Sequence, residues 1–312
     1  MAKKRLVLSL GHKDLGTNLP EQKEAIGRTA DVISGFIEDG WQIAIVHSNA
    51  PQVGMIHTAM NEFGKQHKGY TNAPLSVCSA MSQGYIGYDL QNGIRSALLR
   101  RGIVKTVSTV LTQVTVDPYD DAFYSPLKKV GRFMSREEAE EEDVKGNQTV
   151  EVPGKGYQRI VPAPNPVSIV EIDAIRALLD ADQIVVACGG GGIPVMEQGT
   201  ELRGASAVIE KDLVSGLLAR ETNADVLMII TAVDNVTLNF GTPDEKPIAR
   251  MTIDEANRYI GEGHFEFASM LPKVRASVDF VSAGKNREAI ITSLAKCEAA
   301  LAGKAGTHIV SG

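Results

Sequence analysis

Short apolar runs alternate with longer amphipathic stretches along most of this chain, as strands buried on both faces alternate with the helices that cover them. Leu6–Leu10 reads as a first buried strand and ends at a glycine. Within Glu21–Asp39, Ile26, Ala30, Ile33 and Ile37 fall at helical spacing. Gln42–Val46 reads as the next strand, and Gln52–Lys65 and Gly87–Leu99 as helices. Thr106–Thr112, rich in β-branched residues, reads as a strand. Further on come a helix over Ile169–Leu179, strands over Gln183–Ala187 and Ala207–Ile209, a helix over Leu213–Thr222 and a strand over Asp225–Thr231. A helix starts near Ile253. Then follow the amphipathic stretch Leu271–Val281, strand Ala289–Thr292, helix Leu294–Ala302 and strand Thr307–Val310. Repeated strand–loop–helix units predict an α/β fold with a largely parallel sheet.

The rhythm breaks at Asp117-Pro118. From there to Pro166 prolines recur, an acidic run spans Arg136–Asp143, and Tyr157–Val161 is strand-like. Long irregular segments inside a compact domain are usually functional, so this stretch reads as a small inserted subdomain and a candidate lid, with the acidic run as a solvated helix face. The expected division is a first lobe over 1–116, the insert over 117–166 and a second lobe over 167–312.

Composition narrows the function classes. The chain has 312 residues, 43% hydrophobic and 22% charged, enough to bury a core without disulfide or metal staples. Lys plus Arg number 32 against 38 Asp plus Glu, a net charge of −6, which argues against broad binding to nucleic acid or an anionic membrane. A small anion needs only a local positive pocket. Cys78, Cys188 and Cys297 form no C-x-x-C pair, and the six histidines show no ligand spacing, so no metal site or disulfide framework is expected. The apolar stretch after the basic start is too short for a signal-peptide core, and no run of apolar residues is long enough for a membrane span. The expectation is a reduced cytoplasmic protein.

Three strand ends lead into small-residue loops: Gly11-His12-Lys13-Asp14, Ser48-Asn49-Ala50-Pro51 and Gly189-Gly190-Gly191-Gly192. In open α/β sheets ligands collect beyond the carboxyl ends of strands, where small residues let backbone N–H groups approach an anion. The P-loop ending, the G-x-G-x-x-G fingerprint and the G-x-S-x-G elbow are all absent. Lys211-Asp212 follows Ala207–Ile209, Lys273 closes Ser269–Lys273, and Lys128 lies in the insert. Phosphoryl transfer calls for positive charge spread over the moving phosphate rather than covalent chemistry. Converging lysines and glycine-loop amides would provide it; ordinary surface lysines are the plain alternative.

Several segments together resemble the carbamate kinase family. They are Ala80–Tyr88, Leu111–Asp117, Cys188–Val195, Gly204–Asp212, Gly263–Phe265 and Ser269–Lys273, and the resemblance runs in register from residue 5 to about 310. It implies a three-layer α/β/α sandwich of the amino acid kinase type with a protruding subdomain. It also implies a homodimer that interconverts carbamoyl phosphate plus ADP with carbamate plus ATP, using Mg2+. By the same resemblance Lys211 and Lys273 would hold the transferring phosphate, Asp212 would orient them and Lys128 would reach in from the insert. Gly189, Gly190 and Gly191 would line the phosphate path. Thr231, Val233, Asp234, Val236 and Met270 would flank the nucleotide. Gly11, His12, Lys13, Ser48, Asn49 and Ala50 would face the acceptor.

The chain departs from the family pattern mainly in its acceptor half. Gly11-His12-Lys13 stands where the family has Gly-Gly-Asn, and His47-Ser48-Asn49-Ala50-Pro51-Gln52 where it has His-Gly-Asn-Gly-Pro-Gln. A side chain on a former glycine can block close approach or forbid a positive φ. In the insert, Pro126-Leu127-Lys128-Lys129 replaces Pro-Thr-Lys-Pro, and Val152–Gly156 lacks an acid and an arginine. Glu210 replaces an aspartate and Phe267-Ala268 replaces Pro-Gly. Three readings stay open: a carbamate kinase, a nucleotide-binding relative with an altered acceptor or lost turnover, and a non-enzymatic interaction protein.

Overall fold

The computed structural model describes residues 3–312. Its centre is an eight-stranded sheet in the order Arg250–Thr252, Thr307–Val310, Glu288–Thr292, Val226–Ile230, Arg5–Leu10, Gln42–His47, Ile184–Val186, Val107–Thr109. All neighbours pair in parallel except Glu288–Thr292 with Thr307–Val310.

Period-two alternation along the strands divides the core between two faces. Leu6, Leu8, Ile43, Ile45, Met228 and Ile290 pack on one side, under helices Leu19–Glu38 and Leu75–Arg100. Val7, Ala44, Val46, Leu227, Ile229 and Ala289 pack on the other, under Ile172–Asp180, Lys211–Glu221 and Met270–Ser282. The result is a three-layer α/β/α sandwich.

A second sheet, Glu201–Gly204, Ile193–Gln198, Gln113–Val116 and Pro166–Ile169, sits beside the first. The insert builds a third, antiparallel sheet from Lys128–Met134, Gly156–Val161 and Thr149–Val152. The acidic run forms the helix Arg136–Val144, begun by a capping box between Ser135 and Glu138.

Some expected elements differ. Ala207–Ile209 is not a strand: the segment has no ladder partner, although Ala207 and Ile209 are buried. The local strand is instead Glu201–Gly204, whose exposed charged sequence carries no alternation to reveal it. Thr106–Thr112 splits, because the chain leaves the main sheet after Val107–Thr109 and enters the second one at Gln113. Ile169 ends a strand, so the following helix begins at Ile172. Leu294–Ala302 is a 3-10 turn, Leu294–Lys296, followed by a short helix, Cys297–Leu301. The helix read from Gly87 starts at Leu75. Its small residues let it lie close to the sheet, and a Cβ on Gly87 would stand 2.3 Å from Thr109 Cγ2. Among the described residues no helix is long and apolar enough to cross a membrane.

Candidate active site

Strand Arg5–Leu10 lies mid-sheet between Gln42–His47, to which the chain leads next, and Val226–Ile230, which the chain reaches only in its second half. The crevice beyond the carboxyl ends at such a switch point is where doubly wound sheets bind ligands. Here a cavity of about 1370 Å³ opens, lined by Gly11, Ser48, Lys128, Lys211, Thr231 and Lys273 among others.

Its polar centre is a buried carboxylate held between two lysines. Asp212 Oδ1 accepts from Lys211 Nζ at 2.7 Å and Oδ2 from Lys273 Nζ at 2.8 Å. Ser9 Oγ donates to Asp212 Oδ1 at 3.0 Å and itself accepts from Lys211. Burial pushes the Asp212 carboxyl up, but the two ammonium groups outweigh it and hold it well below the carboxylate range. Burial lowers Lys211, with Asp212 opposing.

Each lysine stands in the first turn of a helix, Lys211–Glu221 or Met270–Ser282. A cation at the positive end of a helix dipole is an unfavourable local arrangement. Asp212 offsets it and keeps both charges in place. Two helix N-termini and two lysines converging on one point favour an anion there.

Lys128, at the start of an insert strand, pairs with Glu210, the residue before Lys211. That contact brings the subdomain onto the cluster. Lys129 alternates to the more exposed side.

The loops at Gly11–Asp14 and Ser48–Pro51 differ from each other. Gly11 N–H donates to Asp14 Oδ2 at 3.1 Å, so the first loop has closed on its own carboxylate. His12 and Lys13 are exposed and line the cavity. Partial burial, then the charges of Lys13, Lys273 and Lys211, lower the His12 imidazole. In the second loop Asn49 is buried and gives its amide to Ser82 Oγ at 2.8 Å. It therefore does not cap helix Ala50–Gln66, whose first turn has no side-chain cap. Ser48 N–H is spent on Leu10 C=O at 3.1 Å.

The tetraglycine loop turns out to be a packing requirement. A Cβ would stand 2.2 Å from His47 Nε2 at Gly189, 2.0 Å from Asn49 Nδ2 at Gly190 and 2.2 Å from Ile209 C=O at Gly191. Gly190, Gly191 and Gly192 also have positive φ. Gln83 clasps the turn, donating to Gly189 C=O at 3.0 Å and accepting from Thr112 N–H at 2.8 Å.

Most of the expected residues meet in this one cavity, but three do not line it. Gly189 and Gly191 lie buried beneath Gly190, which does. Val236 is fully buried in the core, with its N–H on Thr307 Oγ1 at 2.8 Å, and Thr237 lines the wall instead. Thr231, Val233, Asp234 and Met270 line it, and Asp234 accepts from Ser293 Oγ.

Ser9 joins the cluster, and Asp14 and Arg159 the cavity wall, with no motif to mark them. Ser9 had a signal, a lone hydroxyl in an otherwise apolar strand. Asp14 sat in a loop already singled out. Arg159 had none, since an arginine on a half-exposed strand is ordinary.

A doubly wound sandwich with a lysine–aspartate–lysine cluster at its switch point defines the class, a phosphotransferase. The chain belongs to the amino acid kinase family, which it matches over residues 4–293. It is 47% identical over 306 residues to the carbamate kinase-like protein YqeA of Escherichia coli (strain K12), covering 98% of this chain and 99% of that one. It is 46% identical over 312 residues to the carbamate kinase of Clostridium perfringens (strain 13 / Type A), with the same coverage. Among solved structures, carbamate kinase from Giardia lamblia bound to AMP-PNP superposes with a TM-score of 0.94 at 34% identity, over 100% of this chain and 99% of that one.

Proposed function

We propose that this protein is a carbamate kinase, transferring a phosphoryl group reversibly between ATP and carbamate. The observation that carries the proposal is the Lys211–Asp212–Lys273 cluster at two helix N-termini beside the first strand. In the ATP-consuming direction a carbamate oxygen forms its bond to the γ-phosphorus while the bond to the bridging oxygen of ADP breaks. Carbamate is already an anion, so no general base is needed. The residues have to position two anions and spread charge. Lys211 and Lys273 would hold the transferring group, Asp212 would fix their Nζ atoms, and Lys128 would exchange Glu210 for phosphate as the insert closes.

Thr231, Val233, Asp234 and Met270 would flank the nucleotide, with Gly190 along the phosphate path. Gly11, His12, Lys13, Ser48, Asn49 and Ala50 would face the acceptor. In this reading 1–116 is the acceptor lobe, 117–166 the lid and 167–312 the nucleotide lobe. Among the described residues no group of three or more His, Cys, Asp or Glu could hold a metal ion, and both Asp212 oxygens are engaged. Mg2+ would therefore enter on the nucleotide phosphates, supplying charge neutralisation there.

We also propose a homodimer, and a cytoplasmic setting that suits the three free, buried cysteines. The dimer is supported by the exposed stripe Val77, Met81 and Tyr88 on helix Leu75–Arg100.

ATP formation from ADP, Mg2+ and carbamoyl phosphate in a coupled assay tests the activity. Nucleotide binding without turnover would favour the second reading, an altered acceptor. The observation behind that reading is the Gly11 N–H already engaged by Asp14.

A further inference from the structure

The cavity extends past the lysine cluster, between the insert and helix Ala50–Gln66. These two elements touch at Gly54, where an added Cβ would lie 3.6 Å from Gly131 Cα. Arg159 lines this end of the cavity, as do His57 and Asn61 one to two turns beyond Gly54.

Arg159 is poorly matched for a half-buried guanidinium. Its single hydrogen bond among the described residues runs from an NH2 group to Ser206 Oγ at 3.1 Å. Its Nε is buried without any partner. The carboxylate whose field reaches it, Glu142, is already held by Lys145 and by Asn147, each at 2.7 Å. A guanidinium offers five donors in a planar fork, and leaving them unspent in a partly desolvated place is costly.

The register explains where the fork points. Arg159 lies opposite Val130, and Val161 opposite Lys128. Directly opposed residues share a face, so Arg159 and Lys128 are diagonal neighbours on the cleft side, about 7–8 Å apart at Cα. Lys128 turns to Glu210, whereas Arg159 turns to Ser206. Burial first, then the Arg159 charge, lower the His57 imidazole, which pairs with the Asn61 side chain at 3.0 Å and extends the polar wall. His57 lies about 10 Å along its helix from Ala50, at 1.5 Å per residue.

We propose that Arg159 and Ser206, with His57 on the opposing helix, form a second oxyanion subsite that takes a carboxylate or phosphate group. The group belongs either to a ligand lying along the cleft or to a free oxyanion. The subsite does not depend on the carbamate kinase assignment.

Inorganic phosphate is the probe, titrated calorimetrically into the wild-type chain, Arg159→Gln and Arg159→Lys, with Tm recorded for each. We expect two classes of phosphate site in the wild type. Arg159→Gln should remove one of them or weaken it at least about tenfold, and Arg159→Lys, which keeps the charge but loses the fork, should weaken it less. A purely structural arginine would lower Tm and leave phosphate affinity alone, and that result overturns the proposal. If Arg159→Gln does not fold, the Arg159→Lys isotherm decides: affinity equal to wild type overturns the subsite. The KM for carbamoyl phosphate separates the two sources. A raised KM at constant kcat places the group on the substrate, and an unchanged KM with weaker phosphate binding assigns a free oxyanion. Absence of turnover in the wild type would contradict the carbamate kinase reading alone, because the phosphate isotherm needs no turnover.

Discussion

Around Asp212 every charge has a partner, and each partner sits on a rigid end of a strand or helix. Lys211 and Lys273 share the carboxylate, and Ser9 completes it from the first strand. Across the same cleft, the loops at Gly11–Lys13 and Ser48–Ala50 are held mostly through backbone and by one buried asparagine. Their side chains at His12, Lys13 and Ala50 are exposed. The contrast teaches where tolerance lies. A desolvated cluster of three ions fails if one is removed, because the others are left uncompensated. A loop held mainly by its own internal hydrogen bonds can change its exposed side chains at little cost to its shape.

The largest test of that contrast is removal of one cluster charge. Lys211→Ala or Lys273→Ala should lower turnover on the order of 100- to 1000-fold, measured as ATP formation, with the protein still folded. Near-parental activity in either variant would remove its lysine from the account.

Next comes the junction between the two halves, where glycine and loop side chains interlock. Gly190→Ala puts a Cβ 2.0 Å from Asn49 Nδ2 at a φ of +67°. It should destabilise by about 2–4 kcal/mol in a urea melt. An unchanged midpoint would mean that Asn49 moves aside freely.

His47 beneath the same junction gives a pH signature. Burial lowers its imidazole from the usual 6.5 to about 4. The unfolded chain then binds the proton first, so stability falls as pH drops from about 6.5 toward 4. The loss should level off near 3 kcal/mol, from about 1.4 kcal/mol per pKa unit. His47→Gln should flatten that part of the stability–pH curve, and an equally steep curve would assign the dependence elsewhere.

A smaller effect is expected in the loops themselves. Restoring the family residues (His12→Gly, Lys13→Asn, Ser48→Gly, Ala50→Gly) should give a severalfold gain in kcat/KM for carbamoyl phosphate, on the order of 1 kcal/mol. Asp14→Ala, which frees the Gly11 N–H, should act in the same direction. A lower rate from both folded variants would show that the loops are tuned to this chain's own acceptor.

Much of this contrast was legible in the sequence. The strand ending at Leu10 reads directly from its apolar run, those ending at His47 and Ile230 to within one residue, and Lys211, Asp212 and Lys273 stand out by their placement together with the family resemblance. The glycine run was legible as a special loop, but its reason was not. Its glycines answer to His47, Asn49 and Ile209, which lie far away in sequence. Val236 was misplaced because its strand enters the core, a matter of tertiary packing rather than local pattern. The pairing of Gly11 with Asp14 was equally hidden, since a loop acid reads the same whether it faces solvent or closes a turn.

Steady-state ATP formation by the unmodified chain from ADP, Mg2+ and carbamoyl phosphate, run beside Lys211→Ala, tests the central claim most directly. If the proposed roles of the lysine cluster and of the Gly11–Lys13 and Ser48–Ala50 loops hold, turnover is on the order of one per second or faster, and it is lost in the variant. Nucleotide binding with ATP formation no higher than that of Lys211→Ala would contradict it.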